Sequence, residues 1–142
     1  MNRRLLTALS RAHVGLYRAS RGRLGGRISR GAPVLLLTTT GRKSGKQRTT
    51  PLLYLEDAGR YVVIASVGGA PKHPAWYLNL LANPAATIEV GRRKLAVSAS
   101  TASAEERARL WSLAVQIYAP YDDYQAKTTR EIPVVILIPR PN

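Results

Sequence analysis

A short basic segment, Thr38–Arg48 (TTTGRKSGKQR), has residue types suited to anion binding. Its cations, separated by glycines, are Arg42, Lys43, Lys46 and Arg48. Glycines let the backbone turn so that its N–H groups converge on an anion, and arginine forks match phosphate or carboxylate oxygens. The GxxxxGK[ST] spacing of a P-loop is absent. Two interpretations therefore stay open, an anion site and a solvated basic turn.

Three further segments carry groups that can contact a flat ligand. Ala65–Gly69 (ASVGG) ends a strand with a serine and two glycines, where freed backbone N–H groups can bind polar ring atoms. His73–Leu80 (HPAWYLNL) carries Trp76 and Asn79 on one helical face. Tyr118–Tyr124 (YAPYDDY) holds three tyrosines at three-residue spacing, as a lid over a flat substrate would. Each segment also has a structural interpretation: a turn, a core tryptophan beside a surface asparagine, and an aromatic cluster at one end of a barrel.

The elements that must position these segments are mostly strands. Apolar and β-branched runs predict strands at 34–40, 48–55, 60–66, 86–90, 94–100 and 132–138. Helical spacing predicts helices at 3–17 and 73–82, and a third that opens at Thr101 with a capping box from Ser103 to Glu106. Hairpin connections dominate, and no βαβ unit carries a GxGxxG fingerprint. The pattern predicts an antiparallel sheet curled into a small barrel with short helices.

The charge is concentrated in the first third of the chain. The net charge is +14, yet residues 1–55 carry twelve Lys/Arg and no acid, hence +12. This asymmetry favours an anionic partner: nucleic acid, lipid headgroups or a phosphorylated ligand. Nucleic acid is disfavoured because phenylalanine is absent and the cations lack interleaved aromatic residues. Zero cysteines and two histidines argue against disulfides and metal sites.

The organisation predicted is a basic amphipathic helix with a flexible linker at 1–32 and a barrel domain at 33–142. The basic helix suits either an anionic membrane surface, through residues 1–30, or packing across the barrel mouth. No apolar run reaches the roughly 20 residues that span a bilayer, and no signal peptide is evident, so we expect a cytoplasmic protein. Monomer and dimer both stay open.

Taken together, the motifs TTTGRKSG, IASVGGAPKHPAWYLNLLANP and YAPYDDYQ…REIPVV resemble the deazaflavin-dependent nitroreductase family of actinobacteria. The resemblance runs from about residue 33 to residue 139 and depends on the order and spacing of the motifs. It implies a mainly β (α+β) fold, an antiparallel split β-barrel like that of the FMN-binding pyridoxine-phosphate oxidases. It implies coenzyme F-420, an 8-hydroxy-5-deazaflavin with a phosphodiester and an oligoglutamate tail, in preference to FMN. The implied reaction is hydride transfer to a quinone, a nitroimidazole or other nitroaromatic, or an activated enone.

The resemblance also implies roles for individual residues. The family's phosphate contacts match Arg42, Lys43 and Ser44, and a second stretch matches Arg48, Thr49, Thr50 and Pro51. The ring contacts match Ile64, Ala65, Ser66, Val67, Ala75, Trp76, Tyr77, Leu78, Asn79 and Tyr121. We expect Ser66 and Tyr121 to be catalytic, as hydroxyls that stabilise charge or supply a proton. The substrate walls expected are Tyr118, Tyr121 and Tyr124.

Two positions depart from the family's pattern. Val67 stands where relatives often carry lysine, which removes one positive contact near the cofactor. Leu53 stands where some relatives carry a tyrosine, and Tyr54 on the same strand is expected to point to the opposite face. These departures affect the range of acceptors and leave the basic loop intact. A non-catalytic carrier of the same coenzyme is the alternative function.

Replacing Arg42 and Lys43 together by alanine tests the basic loop. We expect the dissociation constant of the deazaflavin coenzyme to rise at least about tenfold, since each charge-assisted contact contributes about 1.5–3 kcal/mol. Titration of the purified protein with the coenzyme measures this constant. Near-unchanged binding in the double variant would place the tail elsewhere on the protein.

Overall fold

The computed structural model describes residues 3–19 and 33–141, with side chains of the first helix from Arg11 onward. The predicted linker at 20–32 lies outside the described residues. The helices are α1 (Arg3–Ala19), α2 (Ala75–Ala82), α3 (Ala104–Ile117) and α4 (Pro120–Ala126). The strands are β1 (Val34–Thr40), β2 (Gln47–Leu53), β3 (Leu55–Asp57), β4 (Arg60–Ile64), β5 (Ala85–Val90), β6 (Arg93–Thr101) and β7 (Val134–Pro139). A short 3-10 turn, Val67–Gly69, follows β4.

The strands form one antiparallel sheet in the order β2-β1-β5-β6-β7-β4-β3. The antiparallel prediction is therefore confirmed. Strand β2 pairs along its whole length with β1 and has a free outer edge, which suits Pro51 because proline has no N–H to donate to a second neighbour. The sheet curls until β2 approaches β4, yet no hydrogen-bonded ladder joins these two strands. The edge strands are thus β2 and β3, and the barrel is split where the end of β4, beyond its ladder with β3, approaches β2.

Alternating side chains fill two cores on opposite faces of the sheet. The barrel interior contains residues such as Leu35, Leu37, Val63, Ile88 and Leu137, all fully buried. The outer face of β4 and β7 is covered by α3 and α4, and its core includes Val62, Val134, Leu110, Ala114 and Tyr121. This second core matters for function because it fixes the tyrosine-bearing helix against the end of β4.

The described half of α1 packs on the barrel. Val14 and Tyr17 pack against β1. The Tyr17 hydroxyl donates to the Glu89 carbonyl oxygen at 3.2 Å and accepts from the Gly91 N–H at 2.7 Å. The Arg18 guanidinium makes a bidentate pair with the Glu89 carboxylate, with a shortest distance of 2.8 Å. These contacts support the packed-helix interpretation for this part of α1.

Charged side chains attach the β3–β4 hairpin to α3. Asp57 accepts hydrogen bonds from Arg60 and Arg109, which both also reach Glu106. These two guanidinium groups hold the pKa of Asp57 well below its ordinary value. Of the predicted capping box, the Ser103 hydroxyl does accept from the Glu106 N–H at 3.3 Å. The Glu106 carboxylate, the other member of the predicted box, accepts hydrogen bonds from Arg60 and Arg109.

Three local predictions were wrong in extent or type. The segment 118–124, predicted as a loop, contains the start of α4, where proline at the first position and two acids in the first turn favour a helix. The strand predicted at 48–55 is interrupted at Tyr54, whose N–H donates to the Pro33 carbonyl oxygen at 3.2 Å. The strand predicted at 60–66 ends at Ile64, because the backbone turns at Ser66 and Val67.

The turn after β4 tolerates no side chain at Gly69. This residue has φ +83°, and a Cβ there would lie 2.6 Å from the Tyr124 carbonyl oxygen on α4. We expect Gly69→Ala to lower the free energy of unfolding by more than about 2 kcal/mol, because backbone strain and a backbone collision combine. Urea unfolding measures the loss.

The matched control is Gly59→Ala. Gly59 has φ +80° with nothing within 4 Å of an added Cβ, so this variant carries the strain alone, about 1–2 kcal/mol. Equal losses in the two variants would mean that the close approach of α4 to the turn has no energetic consequence.

Candidate functional site

A groove of about 390 Å³ lies where the barrel is split. One wall is the free edge of β2, the floor is the end of β4 with the turn that follows it, and the far wall is formed by two tyrosines of α4 and by Tyr118 at the end of α3. The lining residues are Thr50, Pro51, Leu52, Leu53, Ile64, Ser66, Val67, Gly68, Pro74, Trp76, Tyr118, Tyr121 and Tyr124. The groove is open on one side and lined mostly by apolar and aromatic groups, as sites for flat ligands are.

The floor is a strained turn with an available hydroxyl. Ser66 is buried, and its hydroxyl makes no hydrogen bond among the described residues. Val67 has φ +45°, a left-handed conformation that costs a β-branched residue about 1–3 kcal/mol. Its side chain is nonetheless 52% exposed at the groove. Strain of this kind persists only where the surrounding structure enforces it, and it is frequent at binding sites.

The tyrosine wall centres on Tyr121. Its ring contacts those of Tyr118 and Tyr124 at centroid distances of 5.1 and 6.2 Å. The hydroxyls of Tyr118 and Tyr124 bond each other at 3.0 Å. The Tyr121 hydroxyl has no partner among the described residues, although Tyr121 is buried. Burial, with a smaller effect of its two tyrosine neighbours, raises the pKa of Tyr121 further above neutral pH, so ionisation of this hydroxyl is disfavoured and it is available as a hydrogen-bond donor.

The basic loop lies between β1 and β2 as a compact turn. The Gly41 N–H donates to the Lys46 carbonyl oxygen, and the Gly45 N–H to the Gly41 carbonyl oxygen, both at 2.8 Å. A Cβ at Gly41 would lie 2.7 Å from the Ser44 hydroxyl, which accepts from the Lys46 N–H at 3.1 Å. In the described part of the chain, no acid forms an ion pair with the loop cations Lys43, Lys46 and Arg48, which are exposed.

Asn79 attaches this loop to α2. Its side-chain oxygen accepts from the Arg42 N–H at 3.1 Å and from Arg42 Nη1 at 3.0 Å. Its amide nitrogen donates to the Thr39 hydroxyl at 3.1 Å. Asn79 is only 3% exposed, so the structural interpretation of a surface asparagine is wrong. Asn79 orients the loop from beneath and does not line the groove.

The predicted site residues thus fall into two groups. The groove collects Thr50, Pro51, Ile64, Ser66, Val67, Trp76, Tyr118, Tyr121 and Tyr124. The remaining predicted contacts, which do not line the groove, are Arg42, Lys43, Ser44, Arg48, Thr49, Ala65, Ala75, Tyr77, Leu78 and Asn79. Both departures from the family pattern, Leu53 and Val67, line the groove, whereas Tyr54 packs against the barrel interior, as the alternation of side chains predicts.

Arg130 and Gln125 are structural contributors that lie within the quoted motif YAPYDDYQ…REIPVV but received no role from the sequence. Arg130 donates to three backbone carbonyl oxygens around the groove floor, and Gln125 accepts from the Ile132 N–H. Partners that are backbone groups leave no mark in the sequence, so no pattern signals them. Elsewhere in the described ranges, no cluster of His, Asp or Glu suits a metal ion. In the same part of the chain, no helix has the length and apolarity needed to cross a bilayer.

Comparisons with known proteins agree with this geometry. The family described as F-420H(2)-dependent quinone reductase matches residues 9–139. An F-420H(2)-dependent quinone reductase of Mycobacterium tuberculosis is 42% identical over 143 aligned residues, which cover 99% of this chain and 96% of the relative.

Solved structures share the fold. An F-420-H2-dependent reductase of the class FDR-A is 49% identical, with a TM-score of 0.69 and coverage of 74% of this chain and 93% of that one. A chain described as a domain-swapped dimer is 41% identical, with a TM-score of 0.72 and coverage of 89% and 92%. A Listeria innocua protein provisionally assigned as a pyridoxamine 5'-phosphate oxidase has a TM-score of 0.56 at 15% identity, covering 76% and 84%. The predicted split-barrel fold is confirmed.

Removal of the Asn79 side chain tests the attachment of the loop. We expect Asn79→Ala to lower the free energy of unfolding by about 1–3 kcal/mol, because buried Thr39 and the Arg42 N–H lose their partner. Binding of inorganic pyrophosphate to the loop, followed by calorimetry, should weaken in parallel. Asn83→Ala is the control, since Asn83 bonds only the nearby Ala85 N–H at an exposed position. Unchanged pyrophosphate binding in Asn79→Ala would mean that the contact with Asn79 does not control the anion-binding conformation of the loop.

Proposed function

Because the chain belongs to the F-420H(2)-dependent quinone reductase family, we propose that it transfers a hydride from the reduced deazaflavin coenzyme to a quinone. The resemblance seen in the sequence motifs is confirmed at the level of the family and its coenzyme. The observation that carries the proposal is the position of the groove: two buried residues whose hydroxyls have no partner in the described part of the chain, Ser66 and Tyr121, line a flat aromatic cleft near a cationic loop.

The loop residues fit the acidic tail of the coenzyme. The tail carries a phosphodiester and glutamates, and Lys43, Lys46 and Arg48 offer cations that no carboxylate of the described residues neutralises. Charge-assisted hydrogen bonds to such groups are the strong ones. Arg42 is partly engaged with Asn79, so we assign it a dual role, in loop geometry and in phosphate contact. Ser44, Thr49 and Thr50 are the proposed neutral contacts.

The groove fits the flat ring system. Trp76 and Pro74 face the edge of β2 across the cleft, and Ile64 and Ser66 form the floor. Pro51 and Val67 are further proposed ring contacts. The other matched residues of these segments do not line the groove, and we assign them to the support of its walls: Ala65, Ala75, Tyr77, Leu78 and Asn79. The acceptor then stacks beside the tyrosine wall. Flat apolar walls hold two rings in parallel and exclude water from the space between them.

The protein's own hydroxyls complete the reaction. When bound, the reduced coenzyme supplies the hydride, which is chemistry intrinsic to the cofactor. Reduction of a quinone to a quinol takes up one hydride and one proton, and negative charge develops on the quinone oxygen. Ser66 and Tyr121 donate hydrogen bonds to that oxygen in our proposal. Because burial raises its pKa, Tyr121 is a poor source of a proton, so in our proposal it donates a hydrogen bond and the proton itself comes from solvent.

Other acceptors belong to the same proposal. Nitroimidazoles, other nitroaromatics and activated enones are also flat electrophiles. Leu53 leaves space where some relatives carry a tyrosine, and Val67 is apolar where relatives often carry lysine. Both changes favour rings without acidic substituents. Contact of residues 1–30 with an anionic membrane surface also remains a proposal, and the packing of Val14 and Tyr17 on β1 leaves arginines such as exposed Arg11 for it.

Turnover of the purified protein tests this function. Oxidation of the reduced deazaflavin coenzyme by menadione, followed by absorbance, should be measurable, and FMN should bind poorly. Ser66→Ala and Tyr121→Phe should each lower kcat by about a hundredfold, the usual loss for one donor to a developing oxyanion. Ser112→Ala, an exposed serine of α3, should leave kcat unchanged.

Two results would contradict the proposal in different ways. Tight binding of FMN without binding of the deazaflavin would make the protein a flavin oxidoreductase. Binding of the deazaflavin without its oxidation, across quinones, nitroimidazoles and enones, would make it a carrier of the coenzyme.

A further inference from the structure

The floor and the tyrosine wall of the groove belong to different parts of the chain. The floor follows β4, while the wall precedes β7 by a connecting loop that contains Arg130. Within the groove itself, the described residues make no hydrogen bond between the Ser66 side chain and the tyrosines. The core between β4 and α4 packs the two against each other, and a polar connection adds to this packing in holding the constant separation that two stacked rings need.

The side chain of Arg130 binds the floor. Its Nη2 donates to the Ser66 carbonyl oxygen at 2.9 Å, its Nη1 to the Ala65 carbonyl oxygen at 3.2 Å, and its Nε to the Ala70 carbonyl oxygen at 2.9 Å. Nη1 also lies 3.0 Å from Nδ1 of His73, which acts as the acceptor because the guanidinium has only donors. Burial and the Arg130 charge lower the pKa of His73, consistent with a neutral ring. All four contacts fall on residues 65–73, before and after the turn.

The backbone of Arg130 is bound to the wall. The Gln125 side chain on α4 donates to the Arg130 carbonyl oxygen at 2.8 Å and accepts from the Ile132 N–H at 2.9 Å. The same helix lies directly over the turn, since an added Cβ at Gly69 would meet the Tyr124 backbone. Through one residue, the helix that carries Tyr121 and Tyr124 is therefore connected to the floor at Ser66.

We propose that Arg130 is a positioning residue that sets the separation between the groove floor at Ser66 and the tyrosine wall of α4. This inference rests on the proposed function insofar as the groove holds the coenzyme ring and its acceptor. Arg130 touches neither ring. It acts by turning the carbonyl groups of Ala65 and Ser66 toward itself, and by connecting them through Gln125 to α4.

The position of Arg130 predicts a specific kinetic consequence. The acidic tail binds at the loop, which is attached separately through Asn79 and Thr39. Loss of Arg130 should therefore change the coenzyme dissociation constant by less than about threefold. Hydride transfer depends on near-attack geometry, and a displacement of about 1 Å can cost a hundredfold, so kcat should fall by more than about tenfold. An increase in the primary deuterium isotope effect should accompany the loss.

The separation can be measured without any coenzyme. The chain has no cysteine, so Lys72→Cys with Asp123→Cys gives two unique attachment points for nitroxide labels. Both residues are exposed, one beside the floor and one on α4. We expect a narrow distribution of spin–spin distances in the parent chain and a broader or shifted one when Arg130→Met is added. Arg130→Lys keeps the charge and donors without the planar fork and should restore part of both the distribution and kcat.

Arg109→Met is the matched control for the loss of a hydrogen-bonded arginine. Arg109 pairs with Asp57 and Glu106, bonds neither the floor nor the tyrosine wall, and does not line the groove. This variant should lower stability while leaving the distance distribution and kcat unchanged. If Arg130→Met proves too unstable to purify, Gln125→Ala cuts the same connection at its other end and should broaden the distribution likewise.

The possible results test the positioning role of Arg130 and the proposed function separately. A narrow, unshifted distance distribution in Arg130→Met and Gln125→Ala would overturn the positioning role, whatever the activity. An equal loss of coenzyme affinity and kcat in Arg130→Met would also overturn it, since that pattern indicates general damage to the site. Failure of the parent chain to bind the deazaflavin would refute the proposed function, while the distance measurement would still decide whether Arg130 couples the two walls.

Discussion

The incomplete closure of the sheet between β2 and β4 is the constraint on which the groove depends. Strand β2 has Pro51 on its outer edge, and a proline there removes one of the donors that a closing ladder would need. Strands β2 and β4 approach each other without forming a hydrogen-bonded ladder, so the barrel has an open cleft at this position. The side chains of Thr50–Leu53 consequently line a wall of the groove.

A second consequence of the split is that the groove walls are assembled from separate parts of the chain. Asn79 attaches the basic loop to α2, and Arg130 attaches the strand end to α4. Both are polar residues that bond backbone groups, and the Arg130 guanidinium has no carboxylate among its described partners. A cation of this kind adds positive potential near the floor, where the proposed reaction generates negative charge.

The strained backbone of the groove floor costs free energy, and the packing around the floor offsets that cost. Val67 is held in a left-handed conformation, and Gly69 is pressed against α4 so closely that no side chain fits. Three carbonyl groups bound by one guanidinium provide enough interaction to maintain such a turn, since hydrogen bonds to charged groups contribute about 1.5–3 kcal/mol each. A floor whose strained backbone conformation is held fixed suits a site that must place two rings at contact distance.

Local patterns in the sequence determined much of the secondary structure of this protein. Antiparallel strands, the edge position of Pro51, the helix after Pro74 and the Ser103 cap all follow from neighbouring residues, because dihedral preferences and periodicity act over a few positions. The ordered motifs identified the family and its coenzyme as well. Tertiary structure decided the rest. The burial of Asn79 and the role of Arg130 depend on partners distant in sequence, with Asn79 bonding a residue 37 positions away and Arg130 one 64 positions away. Such contacts exist only once the sheet has curled, because the chain's own order gives no sign of which carbonyl groups an arginine will meet.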